Sequence, residues 1–137
     1  MKNKDGYAVH ITPGKFMAIH ETDLSLDEIR ELLECDIFEV VHLRGLPLSN
    51  IVMLVDECGK LRDKSINPIA SILYAEGADY IAGEALLCKL EYTPGDGYDI
   101  APLGEKEAEI VAGLVQMIVG AFVGEDIKKS AKAQKEA

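Results

Sequence analysis

The sequence predicts a single α+β domain: a mainly antiparallel sheet of about five strands, two helices packed on it, and a long apolar C-terminal helix. Three observations lead to this fold class. Short β-prone runs alternate with turn residues, the run from Ile51 to Val55 is apolar throughout, and two segments begin with helix-capping signals. With 137 residues, the chain can bury one core. We expect residues 1–124 to form this domain and residues 125–137 to be a charged tail, either a frayed helix or disordered.

The first two strands form a predicted β-hairpin. The runs Tyr7 to Ile11 and Phe16 to His20 are β-prone, and the link from Thr12 to Lys15 joins them. Pro13 and Gly14 in that link are turn residues, because proline presets φ and glycine permits positive φ. An antiparallel pair is therefore expected at the start of the fold.

An amphipathic helix is predicted from about Leu26 to Glu34. Ser25 and Glu28 have the spacing of a capping box, in which two side chains satisfy backbone donors at the start of a helix. The apolar face of this helix consists of Leu26, Ile29, Leu32 and Leu33. The acidic face consists of Asp27, Glu31 and Glu34. We expect the apolar face to pack on the sheet.

The middle of the chain predicts two strands and a helix. Ile37 to Leu43 is β-prone, and the run from Ile51 to Val55 is typical of a central strand buried on both faces. Asn67 and Pro68 supply an N-cap acceptor and a proline at the first helical position, where its missing N–H is harmless. That helix is expected to end at Gly77.

The remaining elements are a fifth strand, a loop and a long helix. Tyr80 to Leu90 is the predicted strand, in which Gly83 marks a bulge or a close approach. Thr93 to Pro102 is rich in Gly, Pro and Asp and is expected to be a loop. The helix, roughly Glu105 to Val123, has acidic residues in its first turn, the favourable sign at the positive end of the helix dipole.

The long helix is apolar on nearly every face from Ile110 to Val123, so it needs cover on every side. Two arrangements are equally compatible with the sequence. In one, the helix lies in a homodimer interface; in the other, the sheet covers one side and the tail covers the other. The homodimer hypothesis places five residues in the interface: Ile110, Leu114, Met117, Ile118 and Phe122.

Acidic residues dominate the charge, with 24 Asp and Glu against 14 Lys and Arg and a formal net charge of −10. Such a surface repels phosphate backbones, so direct binding to nucleic acid is not expected. A basic protein partner is compatible with this charge, and so is a protein that imitates DNA. The surface expected to carry an interaction comprises the acidic helix face and a polar turn: Asp27, Glu31, Glu34, Asp56, Glu57 and Lys60.

Cysteine usage and hydropathy indicate a cytoplasmic protein without membrane association. Cys35, Cys58 and Cys88 are odd in number and lack C-x-x-C spacing, which is typical of reduced thiols in the cytosol. The first residues lack the apolar run of a signal peptide. No stretch reaches the roughly 18 apolar residues that cross a bilayer.

No pattern of catalytic or cofactor-binding residues stands out. His10, His20 and His42 all lie on predicted strands and could form a metal site if those strands were adjacent, but their spacing contains no close pair. The glycine-rich run from Gly95 to Asp99 lacks the lysine and the following helix of a phosphate cradle. We therefore expect no cofactor and no resident metal, and we favour a protein that is not an enzyme.

Three short motifs carry a family resemblance. They are the strand and turn from Leu54 to Leu61, the segment Asn67-Pro68-Ile69-Ala70, and the glycine-containing run from Tyr80 to Ala85. Together with the Pro13-Gly14-Lys15 turn, they resemble an uncharacterised domain family common in phages, plasmids and conjugative elements of bacteria. The resemblance extends from about Tyr7 to Leu103, and it implies a mobile-element context without a mechanism.

These observations favour a small cytosolic accessory protein of a mobile element that acts by protein–protein contact. The alternative is a DNA-mimicking inhibitor of a host restriction or defence enzyme. A third interpretation is a metal-binding protein or enzyme that uses the three histidines, His10, His20 and His42.

Overall fold

The computed structural model describes residues 6–14, 17–44, 50–74 and 79–136, with side chains up to Gly120. In chain order the elements are β1 (Tyr7–Ile11), β2 (Met17–Glu21), α1 (Leu26–Leu33), β3 (Phe38–His42), β4 (Ile51–Asp56), α2 (Pro68–Leu73), β5 (Ala85–Thr93), β6 (Gly97–Ala101) and α3 (Glu105–Glu136). The predicted α+β class is confirmed. The predicted start of the second strand at Phe16 and the predicted helix end at Gly77 lie outside the described residues.

The strands form one antiparallel sheet in the order β2-β1-β5-β4-β3, with β6 also paired to β5. The first residues of β5, Ala85 to Leu87, pair with β1, and its later residues, Lys89 to Thr93, pair with β6. The backbones of Tyr7 and Leu103 exchange hydrogen bonds of 2.9 and 2.7 Å. These bonds join the start of β1 to the chain just beyond β6.

Helices cover both faces of the sheet, as the alternation along β4 requires. On one face, Leu54 of β4 belongs to a core cluster with Ile29 and Leu33 of α1. On the other face, Met53 belongs to a cluster with residues of α2 and α3, including Leu73. All six residues of β4 are buried, which confirms the prediction of a central strand buried on both faces.

Both predicted N-caps are confirmed, but the Ser25 backbone N–H donates to Asp23 Oδ1 at 3.0 Å, and not to Glu28 as the predicted capping box requires. The Ser25 hydroxyl accepts a hydrogen bond of 3.3 Å from the Glu28 backbone N–H. The Asn67 side-chain oxygen accepts one of 3.1 Å from the Ala70 N–H, and Pro68 occupies the first turn of α2. Each cap satisfies a backbone donor that has no partner within the helix.

The predicted loop from Thr93 to Pro102 is wrong, because β6 lies within it. Gly95 and Gly97 have φ values of +94° and +78°, so they form the tight turn between β5 and β6. The turn residues occupy only the start of this segment. Beyond them, Tyr98 and Ile100 pair with Tyr92 and Leu90 of β5, respectively.

The predicted fifth strand starts too early. The chain from Tyr80 to Gly83 makes a single bridge, between Ala82 and Ile66, and β5 begins only at Ala85. The reason is Gly83, whose φ of +94° lies outside strand conformation. Gly83 therefore marks a sharp change of direction before the strand.

One face of α3 packs on the sheet and the opposite face is open. Ala108, Val111 and Val115 are buried against β1 and neighbouring elements. Ile110 and Met117, on the opposite side of the helix, are 57% and 73% exposed. The backbone of α3 continues to Glu136, past the predicted end at Val123. No helix in the described part of the chain is long and apolar enough to span a bilayer.

Candidate functional site

Two cavities lie at the end of the sheet where β4 finishes and the chain turns toward α2. The first, which we call the tyrosine pocket, has a volume of about 100 Å³, and the residues that line it include Tyr74, Tyr80, Lys60, Glu39, Glu57 and Asp79. The second, the lysine cleft, has a volume of about 320 Å³ and is lined by Lys64, Arg62, Glu34 and Glu84, among others.

A buried asparagine holds the segment 81–83, in which Ile81 and Ala82 line the tyrosine pocket. The amide nitrogen of Asn67 donates to the carbonyls of Ile11 and Gly83, each at 2.9 Å. Its backbone N–H donates to the Ile81 carbonyl at 2.8 Å, while its side-chain oxygen caps α2. Asn67 is completely buried, so these bonds replace all contact with water. One residue thus ties β1, α2 and the segment before β5 together.

A buried ion pair fixes the turn between the two cavities. The Asp56 side chain is 1% exposed, and its Oδ1 accepts a hydrogen bond of 2.8 Å from the Cys58 N–H. Lys64 Nζ lies 2.7 Å from Oδ2, in an ion pair without hydrogen-bond geometry. The same ammonium donates to the carbonyls of Leu33 and Glu34, at 3.0 and 2.7 Å. The turn after β4 is therefore anchored to the end of α1.

Two glycines permit the close backbone approaches of this region. A Cβ on Gly59 would collide with the Ala82 carbonyl oxygen. A Cβ on Gly83 would lie 2.8 Å from Lys64 Cδ, at a φ that disfavours side chains. The predicted close approach at Gly83 is confirmed. The glycines hold the turn after β4 against the segment 79–83.

The tyrosine pocket already contains one ammonium group. Lys60 donates to the Asp79 carboxylate, and its Nζ lies 4.5 Å from the centre of the Tyr80 ring, a cation–π contact. The hydrogen bond to Asp79 raises the pKa of Lys60, and the same bond lowers the pKa of Asp79. The carboxylates of Glu39 and Glu57 have no side-chain partner among the described residues.

The cysteines are free, and two of them are unreactive by position. Burial raises the pKa of Cys35, with a further contribution from the charge of Asp56. Burial alone raises the pKa of Cys88 to about 12, so this thiol stays protonated at neutral pH. Cys58 is half-buried in the turn after β4.

The histidines do not converge. His10 Nε2 lies 2.9 Å from a carboxylate oxygen of Glu84, and the rings of His10 and His20 are 5.0 Å apart. His42 lies on β3, and β5 and β4 separate that strand from β1. Within the described ranges, no group of three or more His, Cys, Asp or Glu side chains could hold a metal ion.

A known protein family covers most of this architecture. Its match extends over residues 4–108, from before β1 into the first turn of α3. The chain belongs to the family described as a domain of unknown function (DUF3846). The expected resemblance to an uncharacterised family is thereby confirmed. Neither the curated proteins nor the solved structures contain a match to the chain.

Within the DUF3846 region, the structure places the predicted interaction residues in two different environments. Asp27 and Glu31 are exposed on α1, and Glu57 and Lys60 are exposed in the turn after β4. Glu34 is exposed too, but it is the C-cap of α1, with a left-handed backbone (φ +52°), so the helix ends one residue before the predicted Glu34. Asp56 is buried in the ion pair with Lys64, so it presents no charge to a partner. The residues that sequence reasoning missed are Tyr74, Asp79, Tyr80 and Glu39, which reach the tyrosine pocket from three separate segments.

Most of α3 lies beyond the DUF3846 match. Of the residues assigned to a homodimer interface, Ile110 and Met117 are exposed, whereas Leu114 and Ile118 are half-buried. Ile118 packs against the core cluster under α3. Phe122 lies beyond the last described side chain.

Proposed function

We propose that the chain is a small cytoplasmic accessory protein of a mobile genetic element that acts by protein–protein contact and not by catalysis. The observation that carries this proposal is the rigid acidic face of α1. Ile29 and Leu33 anchor the helix in the core, and Asp27 and Glu31 point away from it into solvent. Glu34 is also exposed, at the C-cap that ends the helix. The mobile-element context rests on the family resemblance, and the cytoplasmic location rests on the three free cysteines.

A function in protein–protein contact explains the structure better than catalysis, because two of the thiols are buried and the histidines do not form one site. The thiols of Cys35 and Cys88 are buried with raised pKa values, which keeps them protonated. His42 lies on β3, which β5 and β4 separate from the strand of His10, so the three histidines do not form one site. The acidic face of α1, in contrast, offers carboxylates that already lie in water and can pair with a basic surface without a large desolvation cost.

The experiment is an affinity pull-down of the tagged protein from its native host, eluted along a salt gradient with mass-spectrometric identification. It compares the wild type with the triple variant Asp27→Lys, Glu31→Lys and Glu34→Lys. We expect the variant to lose the partner, because like charges then face each other. A partner that the variant retains in full would refute the acidic-face assignment.

The matched control is a second triple variant with the same change in charge at a different place: Glu91→Lys, Asp96→Lys and Glu109→Lys. All three of these carboxylates are exposed and lie outside α1. This variant should retain the partner. Equal loss in both variants would mean that the overall net charge of −10 governs binding, and not the α1 face.

The second candidate is a DNA-mimicking inhibitor, which the exposed carboxylates of α1 also favour. It predicts a nuclease or restriction subunit as the partner, released at moderate salt. The carboxylates in the first turn of α3 imitate DNA less well, because Glu107 forms an ion pair of 3.0 Å with Lys89 and accepts a hydrogen bond from the Gly104 N–H. Recovery of a conjugation or replication protein would instead support the accessory function.

We also propose that a second copy of the chain covers the open face of α3. Ile110, Leu114 and Met117 have the four-then-three spacing of a helix-pairing seam. Gly113 and Gly120 have open space at their Cβ positions, so a second helix can approach closely. Sedimentation at micromolar concentration should show a dimer that Met117→Lys converts to a monomer. A monomeric wild type would refute this proposal.

A further inference from the structure

The tyrosine pocket has the chemistry of a receptor for organic cations. Tyr80 is 42% exposed and presents a ring face, whose negative quadrupole attracts an ammonium or a guanidinium. Glu39, Glu57 and Asp79 also line the cavity and bring three carboxylate side chains to its walls. The cavity of about 100 Å³ has room for the head group of one side chain.

The protein itself shows which group fits. Lys60 places its ammonium over the Tyr80 ring, with the Asp79 carboxylate as its counter-ion. This arrangement combines an aromatic face with a carboxylate, the pairing that recognises lysine-like cations. Lys60 comes from the turn after β4, and its side chain is 40% exposed.

The charges around the pocket remain unbalanced after Lys60 is counted. Three carboxylates face one ammonium, and among the described residues the carboxylates of Glu39 and Glu57 have no cation beside them. Asp56 also lines the cavity, but Lys64 neutralises it from the α1 side. A second cation beside Glu39 and Glu57 would balance the site.

From this geometry we propose that the tyrosine pocket binds a basic side chain, lysine or arginine, of a protein partner. The inference rests on the proposed function in one respect, that the natural ligand is a protein. The walls are preorganised, because Gly59 holds the turn against Ala82 and Asn67 holds the segment 81–83 against α2. A preorganised site loses little conformational entropy when it binds.

The test uses small probes and needs no native partner. Nα-acetyl-lysine methylamide, its arginine counterpart and the neutral isostere Nα-acetyl-norleucine methylamide are titrated into the ¹⁵N-labelled protein, and the amide signals of Tyr80 and Ala82 are followed by NMR. The cationic probes should shift both signals with dissociation constants at least about fivefold lower than norleucine, because the carboxylates of Glu39 and Glu57 attract a positive charge. The stronger of the two cationic probes distinguishes lysine from arginine recognition. Equal shifts by norleucine would overturn the proposal, since the pocket would then be merely apolar.

Variants distinguish a pocket from diffuse attraction. Glu39→Gln with Glu57→Gln should abolish binding of the cationic probes, whereas the control Asp27→Asn with Glu31→Gln, which removes the same charge, should preserve it. Lys60→Met should bind the lysine probe at least about threefold more tightly, because the ring face and Asp79 become vacant. Equal weakening in both double variants would overturn the proposal.

The outcomes separate this inference from the proposed function. Probe binding with no partner in the pull-down would preserve the pocket and contradict the protein-contact function. A partner that depends on α1, with no change in the amide signals of Tyr80 or Ala82 on addition of any probe, would support the protein-contact function and overturn the pocket.

Discussion

Asn67 should be the most sensitive polar residue of the fold. Replacement by alanine removes the cap of α2, which costs about 1 kcal/mol, and leaves the Ile11 and Gly83 carbonyls without their donor. A buried acceptor without a partner costs about 1–3 kcal/mol, and each carbonyl has a second lone pair, so we use the lower half of that range. The free energy of unfolding should therefore fall by about 3–5 kcal/mol.

Urea unfolding followed by circular dichroism measures this change, provided the transition is two-state. Asn67→Ser keeps a capping oxygen and loses only the two bonds to the carbonyls, so it should recover about 1 kcal/mol relative to Asn67→Ala. Ser25→Ala is the control, because it removes the cap of α1 from an exposed site and should cost about 1 kcal/mol. If Asn67→Ala costs no more than Ser25→Ala, the buried asparagine does not brace the pocket and the reasoning fails.

Three further predictions concern glycine, pH and thiol chemistry. Gly83→Ala should lower the free energy of unfolding by about 2–3 kcal/mol and Gly95→Ala by about 1 kcal/mol. Both glycines have φ of +94°, but only at Gly83 would the new methyl group meet a neighbouring side chain. Equal losses in urea unfolding would contradict this. The hydrogen bond from the Gly104 N–H, and then the one from Lys89, lower the pKa of Glu107. Glu107→Gln should therefore cost its full stability above the ordinary glutamate pKa, and the cost should vanish as the pH falls through the lowered pKa. A loss of stability that does not depend on pH would contradict this. Iodoacetamide should modify Cys58 first and Cys88 only on unfolding, as peptide mass spectrometry can show; early labelling of Cys88 would refute its burial.

Local patterns in the sequence were sufficient for the elements whose causes are local. The caps at Ser25 and Asn67 depend on residues three positions away, and the burial of β4 follows from its continuous apolar run. Composition does not predict the strand β6, because the turn glycines Gly95 and Gly97 dominate this short segment. Its pairing partner, β5, determines its conformation, and that pairing is not visible in local composition.

The candidate site was only partly predictable because it depends on contacts between distant segments. Glu57 and Lys60 were singled out for their charge, but Tyr80 meets Lys60 only because Gly59 lets the turn approach the segment 79–83. Asp56 looked like a surface acid, since nothing local reveals that Lys64 neutralises it inside the fold. The separation of His42 from the other histidines follows from strand order, which their spacing along the chain does not encode.

The acidic face of α1 is best tested by the pull-down from the native host. It compares the wild type, the α1 triple variant and the control variant at Glu91, Asp96 and Glu109. We expect a protein partner to elute from the wild type and the control at moderate salt and to be absent from the α1 variant. A partner that all three proteins retain equally, or one that none of them recovers, would contradict the claim that the chain acts through the acidic face of α1.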